Sequence, residues 1–600
     1  MKVSHLARLV PEQAKKFGNK TAIRYRDYTD GKWKDISWIE LERNVDLLAS
    51  SLLIEGIIHG SKIGLFSQNK PECIIVDYAV YSIGAVGVPM YATSTTSQIE
   101  FIIKDAGIKL IFVGEQYQYD RAYEAMRSES SLKQIVIFDT EVRLALSDES
   151  SVYFTDFIQK GGIADKKAEI AALRSNVKDE DLANILYTSG TSGESKGVLL
   201  THSMYNEAIR VNNLKLSYLS EDEISLAFLP MTHVFEKTWD AFALSRGMRL
   251  DINLKPLDIQ MTLKEVKPTC MCCVPRFWEK IYAGINEKID SMPAFLKLLF
   301  KNAINIGKIY NLDYMRLGKV PPFRIRFMYS IYSRTLFHKI KKAVGLENGV
   351  LFPVAGAKLS DELCTFFRSM GIPIIFGYGL TESTATVTCY DRTNYHIGTV
   401  GSVIEGLEVK LGAENEILLK GKTITPGYYN KPEITAQSFT TDGFFRTGDA
   451  GAFDENGHLI ITERLKDLFK TSNGKYIAPQ QIETTLCSDN YIDMAAIIGD
   501  GFKYVSALIV PALPLIPELA LNLGIKSKDI EEILGDNKMY AFFENRIRML
   551  QKNMAGFEQI KKFTLLPNAF SMEKGELTNT LKMRRKIIIQ HYEKAIAAMY

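Results

Sequence analysis

Short apolar runs that end in glycine, proline or small polar residues recur along the first 380 residues of the chain. The runs at 61–68 (SKIGLFSQ) and 108–114 (IKLIFVG) are typical of strands, and 96–107 (TSQIEFIIKDAG) is typical of a helix that ends near Gly107. This alternation predicts an α/β domain with a largely parallel sheet. Because ligands bind at the carboxyl ends of strands in such folds, the residues after each run are candidate site residues. The later runs are ANILYTSG, EISLAFLP, TCMCCVP, GVLFPVAG and GIPIIFGYG.

The pattern changes near residue 400. The segments 408–421 and 451–463 alternate apolar and polar residues around Asn/Gly turns, which predicts hairpins. Beyond Arg464 the chain has further strand-like runs and a lysine-rich end. A chain of 600 residues also exceeds the size of a single core. We therefore expect an N-terminal domain over 1–465 with a β-rich subdomain at 400–463, and a small, mobile α+β C-terminal domain over 466–600.

The charge balance argues against nucleic acid as a partner, because the net charge of +3 is nearly neutral for this length. The first 20 residues alternate charged and apolar positions, unlike a secretory signal, and the longest uncharged apolar stretches are too short to span a membrane. Seven cysteines are an odd and sparse set. They indicate a reducing compartment, and we expect the cytoplasm.

Three of these cysteines, Cys270, Cys272 and Cys273, lie close together in an apolar run that ends at Pro275. No histidine or second cysteine pair follows at the spacing of zinc ligands. We therefore expect these thiols to be buried in a core strand rather than to bind a metal.

The segment from Tyr187 to Gly197 carries the strongest chemical signal. Every residue from Thr188 to Gly193 is Gly, Ser or Thr, so the backbone can approach a polyphosphate and its amides and hydroxyls can donate to it. Lys196 adds a positive charge. The loop lies between two apolar runs and lacks the Gly-Lys-Ser/Thr order of a Walker A loop. A flexible linker is the alternative, but linkers are rarely placed between strands.

A second motif is Gly377-Tyr-Gly-Leu-Thr-Glu-Ser383, in which a tyrosine can stack on a purine and a carboxylate can hold Mg²⁺. Together with the first loop it resembles the adenylate-forming superfamily of acyl- and aryl-CoA synthetases, adenylation domains and luciferases. Ser195 and Phe376 depart from the usual pattern. The resemblance implies that Tyr378 stacks on adenine, that Thr381 contacts the α-phosphate, and that Glu382 binds Mg²⁺ with Thr188. Val354-Ala-Gly-Ala357 resembles the strand end that borders the adenine.

The same resemblance extends toward the C-terminus. Thr447-Gly-Asp449 and Arg464 resemble the ribose-binding pair, and Lys466 falls at the hinge position. Gly575 to Arg585 resembles the motif that bears the adenylation lysine, which selects Lys582. A solvated lysine of a charged helix start is the alternative reading of that residue. The ATP-binding residues implied are Thr188, Ser189, Gly190, Thr191, Ser192, Gly193, Lys196, Gly356, Ala357, Gly377, Tyr378, Gly379, Thr381, Asp449 and Arg464, and the catalytic residues implied are Lys582, Lys466, Thr188 and Glu382.

Within the superfamily, 229–238 and 274–282 resemble long-chain fatty acyl-CoA synthetases. This resemblance implies that His233 borders the substrate carboxylate and that Trp239 gates an acyl tunnel, although core packing explains a tryptophan equally well. The hinge segment 464–480 also resembles that family, and it places Lys470 and Gly474 near the coenzyme A path.

The segment 297–342 carries eleven Lys/Arg residues against one acidic residue, Asp313, with aromatic residues between them. Such a stretch can lie on an anionic membrane surface, which would place the protein at the inner face of the membrane. A helical insertion packed on its own domain is the alternative, and the two are compatible.

The resemblance therefore implies an AMP-forming long-chain fatty acid–CoA ligase. It uses fatty acid, ATP and coenzyme A as substrates and Mg²⁺ as cofactor; a homodimer is left open. Two alternatives remain: a fatty acyl-AMP ligase that loads a carrier protein, and a non-catalytic or oxygenase relative with the same fold.

Overall fold

The computed structural model describes residues 5–128, 131–163, 166–189, 195–357, 359–465, 467–473, 475–552, 554–578 and 582–600. The contacts divide the chain into two compact units. The first comprises Met1–Lys410, Leu418–Thr447 and Phe453–Ile460, and the second comprises Leu411–Ile417, Gly448–Ala452 and Ile461–Tyr600.

The first unit is built on a seven-stranded sheet whose strands are parallel except at one edge. The predicted strands in 61–68 and 108–114 are both present, and the predicted helix ends where Gly107 adopts a left-handed conformation with φ 66°. The expected parallel sheet is therefore confirmed. In order across the sheet, the strands are Val152–Tyr153, Gln134–Ile137, Leu110–Val113, Lys62–Phe66, Val86–Met90, Leu182–Ser189 and Ser195–Thr201.

Two four-stranded sheets complete this unit. One has the order Ile224–Ala227, Arg249–Ile252, Thr21–Arg26 and Trp33–Ser37, and the other has the order Phe352–Val354, Ile374–Tyr378, Thr388–Cys389 and Ser402–Val403. Cys270, Cys272 and Cys273 are fully buried, as expected, but Cys270 and Cys273 form isolated bridges rather than part of a continuous strand. The helices of the first unit are Leu6–Phe17, Trp38–Ile54, Pro71–Ser82, Thr96–Ala106, Gln116–Ser128, Phe154–Lys160, Lys167–Asn176, His202–Lys215, Val234–Arg246, Ile259–Val266, Pro275–Asp290, Ala294–Lys308, Phe323–Tyr332, His338–Val344, Asp361–Ser369 and Pro432–Gln437, over the residues that the structure describes.

Residues 407–464 form a further four-stranded sheet from Leu407–Leu411, Glu416–Gly421, Phe445–Phe453 and Leu459–Arg464. The hairpins predicted there are therefore present. The second unit contains a three-stranded sheet of Ile492–Ile498, Val505–Pro511 and Ile560–Leu565, and a short ladder of Phe469–Lys470 with Tyr476–Ile477. Its helices are Pro479–Leu486, Ile516–Asn522, Ile530–Gly535, Asn537–Leu550, Arg585–His591 and Glu593–Ala597.

No helix among the described residues is both long and apolar enough to cross a bilayer.

Candidate active site

The Gly/Ser/Thr loop joins two antiparallel strands, Leu182–Ser189 and Ser195–Thr201, as its flanks indicated. Thr188 pairs with Lys196 across this hairpin, and its hydroxyl lies 3.5 Å from the Lys196 carbonyl oxygen. Residues 190–194 lie outside the described part of the chain, so the assignments to Gly190, Thr191, Ser192 and Gly193 stay predictions. The hairpin fixes Thr188 and Lys196, at the two ends of the loop, by backbone pairing.

The adenine-side motifs lie at the ends of neighbouring strands. Phe352–Val354 runs parallel to Ile374–Tyr378, so the two strands end at the same edge of one sheet. Tyr378 is the last residue of its strand and Gly356 lies just beyond the end of the other, so both lie at this edge. Gly379 has no room for a side chain, because a Cβ there would lie 2.3 Å from the backbone of Ala385. The sheet therefore brings together the two motifs that the sequence separates by about twenty residues.

Glu382 lies in a single helical turn, Thr381–Ser383, directly after this strand. Its Oε1 accepts a hydrogen bond of 2.9 Å from the Tyr428 hydroxyl, and its backbone carbonyl accepts the Thr425 N–H at 2.8 Å. The Thr425 hydroxyl donates in turn to the Leu199 carbonyl at 2.7 Å. The Lys196 ammonium lies 5.3 Å from the centre of the Tyr428 ring. The segment around Tyr428 therefore connects the Glu382 turn to the phosphate-loop hairpin.

Tyr428 is a residue that the sequence reasoning missed. Burial, together with the neighbouring Glu382 carboxylate, raises the pKa of its hydroxyl far above the usual value, so the group stays a hydrogen-bond donor. The only sequence signal was a tyrosine after Gly427 in TPGYYNKP, a run that turn chemistry alone explains.

The two residues assigned to the metal offer a carboxylate and a hydroxyl. These are the hard oxygen ligands that Mg²⁺ prefers, and Thr188 and Glu382 are joined through the hairpin and Tyr428 as described above. The donor chemistry therefore fits a magnesium–nucleotide complex.

Asp449 and Arg464 lie together in the second unit. The Arg464 Nε is 3.6 Å from the Asp449 Oδ1, and Asp449 is buried. The Leu465 N–H donates to the Gly448 carbonyl at 2.9 Å, which holds the ends of the two strands in register. A carboxylate and a guanidinium so placed can both bind sugar hydroxyls.

Lys582 is exposed, and its backbone forms two hydrogen bonds with Thr578. Its N–H donates to the Thr578 hydroxyl at 3.0 Å, and the Thr578 N–H donates to its carbonyl at 2.8 Å. Lys470 pairs with Tyr476 in the short ladder of the second unit. Lys466 and Gly474 lie outside the described residues, so their roles stay predictions.

The acyl-side candidates lie on a helix, Val234–Arg246, that is buried along most of its length. His233 caps this helix, since its Nδ1 accepts the Phe235 N–H at 3.2 Å. Trp239 is buried, and its indole N–H donates to the Ser225 hydroxyl at 2.9 Å. In this structure Trp239 is thus a core residue with a satisfied donor, while its role as a gate stays a prediction.

The same helix contains ionisable residues that the sequence did not mark as candidates. Lys237 forms a buried ion pair with Asp77. Asp240 is also buried, and within the described chain neither of its carboxylate oxygens has a hydrogen-bond partner. Burial raises the pKa values of the Asp240 and Glu236 carboxyls well above those of ordinary carboxyls, which favours their protonated forms.

The basic segment 297–342 forms helices that pack on the first unit through residues such as Phe300 and Phe337, which are buried. Its outer side exposes Phe323 and Phe327 at 78% and 57% of their surfaces. The helical insertion is therefore present, and it leaves aromatic side chains exposed beside arginines. An open concavity of about 430 Å³ on this side is lined by Tyr310, Phe323, Arg326, Phe327, Tyr329, Ser330, Ser333 and Arg334.

Comparison with known proteins agrees with this geometry. A family model described as AMP-binding enzyme matches residues 10–429, and one described as AMP-binding enzyme C-terminal domain matches residues 466–600. The chain belongs to the AMP-binding enzyme family.

Curated relatives match almost the whole chain. Long chain acyl-CoA synthetase 2 of Arabidopsis thaliana is 30% identical over 98% of this chain and 91% of its own length. A long-chain-fatty-acid–CoA ligase of Mycobacterium bovis is 29% identical over 96% of this chain and 94% of its own. Among solved structures, the adenylation domain of a carboxylate reductase from Mycobacterium chelonae matches 100% of this chain and 91% of its own, with a TM-score of 0.78 and 18% identity. That structure supports the fold.

Proposed function

We propose that the protein is an AMP-forming long-chain fatty acid–CoA ligase, which converts ATP, fatty acid and coenzyme A into AMP, pyrophosphate and acyl-CoA. The observation that carries this proposal is the likeness, over 96% and 98% of the chain, to relatives named for that activity. The arrangement of Glu382, Tyr428 and the phosphate-loop hairpin supports it.

In the first half-reaction, a fatty acid carboxylate oxygen attacks the α-phosphorus of ATP and the bond to the β-phosphate breaks, so acyl-AMP and pyrophosphate form. The loop between Thr188 and Lys196 would bind the departing phosphates. Tyr378 would stack on adenine, and Asp449 and Arg464 would bind the ribose. Lys582 would stabilise negative charge that develops during the attack.

Thr188 and Glu382 would hold the Mg²⁺ that accompanies ATP, which supplies positive charge to the phosphates. Tyr428 orients the Glu382 carboxylate through its hydroxyl hydrogen bond. This contact would keep one carboxylate oxygen in a fixed direction while the other stays available.

In the second half-reaction, the thiolate of coenzyme A attacks the acyl carbon, the thioester bond forms and AMP leaves. We place the hinge that separates the two steps at Lys466, and the coenzyme A path near Lys470 and Gly474. Using one site for two reactions in turn gives a reason for a separate, mobile C-terminal domain.

The test of this proposal is Lys582→Ala. The rate of acyl-AMP formation from palmitate and ATP should fall by about two to three decades, because a preorganised charge is lost. Conversion of supplied palmitoyl-AMP to palmitoyl-CoA should continue near the wild-type rate. Rapid-quench chromatography of both half-reactions measures the two rates separately.

Lys586→Ala is the matched control, since Lys586 is an exposed lysine four residues later. It should leave both half-reactions unchanged. Equal loss of both steps in Lys582→Ala, or a larger loss in Lys586→Ala, would contradict the assignment. If acyl-AMP forms but coenzyme A does not discharge it, the acceptor is a carrier protein instead.

We also propose that the protein is cytoplasmic and contacts the inner face of the membrane through 297–342. Arg324, Arg326 and Arg334 are exposed beside Phe323 and Phe327, an arrangement that suits anionic headgroups with aromatic rings at the interface. Each basic group near such a surface contributes about 1 kcal/mol, weakened by salt. Contact with the bilayer would let the enzyme take up an apolar substrate directly.

Replacing Arg324, Arg326 and Arg334 by glutamate should abolish co-sedimentation with phosphatidylglycerol vesicles at low salt while leaving activity on detergent-dispersed palmitate largely intact. The control replaces the exposed Lys526 and Lys528 of the second unit by glutamate and should still sediment. If the wild-type protein ignores these vesicles at low salt, the segment serves only as a packed insertion.

A further inference from the structure

Three side chains of metal-binding type converge in the first unit, apart from the residues assigned above. Among the residues that the structure describes, His396, Asp454 and His458 bring one ligand atom each to within 4.8 Å of one another. The His396 Nδ1 lies 2.6 Å from the Asp454 Oδ2, and the His458 Nδ1 lies 3.2 Å from the same oxygen. Two imidazoles therefore contact the same carboxylate oxygen.

The local fold explains why these side chains meet. Asp454 and His458 are the two ends of the turn between Phe445–Phe453 and Leu459–Arg464. The Asp454 Oδ1 accepts the backbone N–H groups of Asn456 at 2.9 Å and His458 at 2.8 Å, so this oxygen belongs to the turn. The other oxygen, Oδ2, is left to face the two imidazoles.

His396 reaches the turn from a loop 58 residues earlier in the chain. The Val400 N–H donates to the Leu459 carbonyl at 2.7 Å, and Ser402 forms an antiparallel bridge with His458. These backbone contacts fix the loop against the hairpin. The position of His396 beside Asp454 therefore depends on these backbone contacts and not only on the rotamer of its side chain.

The surroundings of the three side chains include a second carboxylate. Asp391, beside His458, accepts the Ser402 hydroxyl at 2.7 Å and forms an ion pair with Lys215. The side chains of His458 and Asp454 are 8% and 15% exposed and that of His396 is 33% exposed, so the group is partly enclosed but open to solvent on one side.

We propose that His396, Asp454 and His458 form a binding site for a divalent transition metal ion of the zinc class. Imidazole and carboxylate are ligands that Zn²⁺ accepts at 2.0–2.2 Å, which puts the ligand atoms of a tetrahedral site about 3.3 Å apart. The separations in the structure lie around that value: 2.6 and 3.2 Å from the two imidazoles to Asp454, and no more than 4.8 Å among the three ligand atoms. Three protein ligands leave a fourth position for water.

This site differs from the proposed magnesium site in its ligand chemistry, since two of its three donors are nitrogen. Its effect would be structural: the ion would tie the loop that carries His396 to the hairpin that carries Asp454 and His458. The two segments are distant in sequence, so the unfolded chain does not present the three ligands together. Because the ion would bind only the folded arrangement, binding would stabilise the folded first unit by mass action.

Titration of the chelator-treated, full-length protein with Co²⁺ tests the proposal. Visible absorption of tetrahedral type should rise and saturate at one equivalent, and Zn²⁺ should displace it. Zn²⁺ at about 100 times its dissociation constant should also raise the Tm by a few degrees. Absence of Co²⁺ binding by the wild-type protein at micromolar concentration would overturn the proposal, and the three groups would then be a hydrogen-bonded brace for the turn.

His396→Gln, Asp454→Asn and His458→Gln should each weaken Co²⁺ binding at least tenfold. His396→Gln carries the most weight because its side chain is the most exposed of the three and its loss should leave the metal-free Tm nearly unchanged. The control is His59→Gln, which removes an exposed histidine paired with Asp181 at 2.9 Å. Retention of binding in all three site variants, or an equal loss in His59→Gln, would also overturn the proposal.

Discussion

The carboxylates of Glu382 and Asp240, both in the first unit, have opposite environments. Glu382 is half-buried, sits at the end of a strand in a Gly-rich motif, and receives a hydrogen bond from Tyr428. Asp240 is buried within a helix, its oxygens have no hydrogen-bond partner in the described chain, and burial raises its pKa far above the usual value. The first is held in orientation by a tyrosine hydroxyl, whereas burial of the second favours its protonated form.

Burial and an altered pKa therefore do not by themselves mark the reacting group of an enzyme. Buried ionisable groups are also found in structural networks, such as the ion pair of Lys237 with Asp77. What distinguishes Glu382 is its partner and its place at a strand end. We therefore expect substitutions at the two carboxylates to affect different properties of the protein.

The largest effect is expected for Glu382→Gln. Loss of the charge that would hold Mg²⁺ should lower the rate of acyl-AMP formation by about 10²–10³-fold, while the Tm stays close to that of the wild type. The matched control is Glu362→Gln, since Glu362 also accepts a tyrosine hydroxyl, that of Tyr282, at 3.1 Å. If Glu382→Gln makes acyl-AMP at the wild-type rate across Mg²⁺ concentrations, then Glu382 does not bind the metal ion and its contrast with Asp240 is wrong.

A smaller effect is expected for Tyr428→Phe. This change deletes the hydrogen bond to a charged group, worth about 1.5–3 kcal/mol, and should reduce acyl-AMP formation by about 10–100-fold. Because Tyr428 acts through Glu382, the Mg²⁺ concentration for half-maximal rate should rise, a shift that a merely structural role would not produce. Tyr282→Phe is the control, and the double variant Tyr428→Phe/Glu382→Gln should be little slower than Glu382→Gln alone.

The smallest effect is expected for Asp240→Asn, and it concerns stability rather than rate. Above the ordinary aspartate pKa of 3.8, the unfolded chain loses this proton while the folded protein keeps it. The free energy of unfolding therefore falls as pH rises above that value, and the positive charge of Lys237, which favours the ionised carboxylate, reduces the size of this fall. Asparagine removes this dependence, so the variant should gain stability relative to the wild type between pH 5 and pH 8.

Denaturant unfolding at both pH values measures this difference, and the exposed Asp313→Asn is the control. Activity of Asp240→Asn should remain near the wild-type level. If the stability of Asp240→Asn relative to the wild type instead falls from pH 5 to pH 8, Asp240 is ionised in the folded protein. The contrast between Asp240 and Glu382 is then wrong.

The sequence predicted those features that depend on local chemistry. The helix that ends at Gly107, the hairpins between 407 and 464 and the strand–loop–strand form of the phosphate segment all follow from residues close together in the chain. The Gly377–Ser383 motif was also recognised from its own residues. The structure explains one of them, since a side chain at position 379 would meet the backbone of Ala385.

The features that the sequence did not predict are contacts between distant segments. The hydrogen bond of Tyr428 to Glu382 joins residues 46 positions apart, and the ion pair of Lys237 with Asp77 joins residues 160 positions apart. The meeting of His396 with Asp454 depends on the pairing of a loop with a hairpin. No spacing rule for helices or strands connects such positions, so only the packed structure brings them together.

We infer that one site first makes acyl-AMP and then passes the acyl group to coenzyme A. The most direct measurement mixes the protein with palmitate and MgATP, withholds coenzyme A, and then adds it, while mass spectrometry follows every nucleotide and acyl species. We predict palmitoyl-AMP and pyrophosphate in equal amounts before the addition, and palmitoyl-CoA and AMP in equal amounts after it. Formation of ADP and phosphate, or palmitoyl-AMP that persists after coenzyme A is added, would contradict the account.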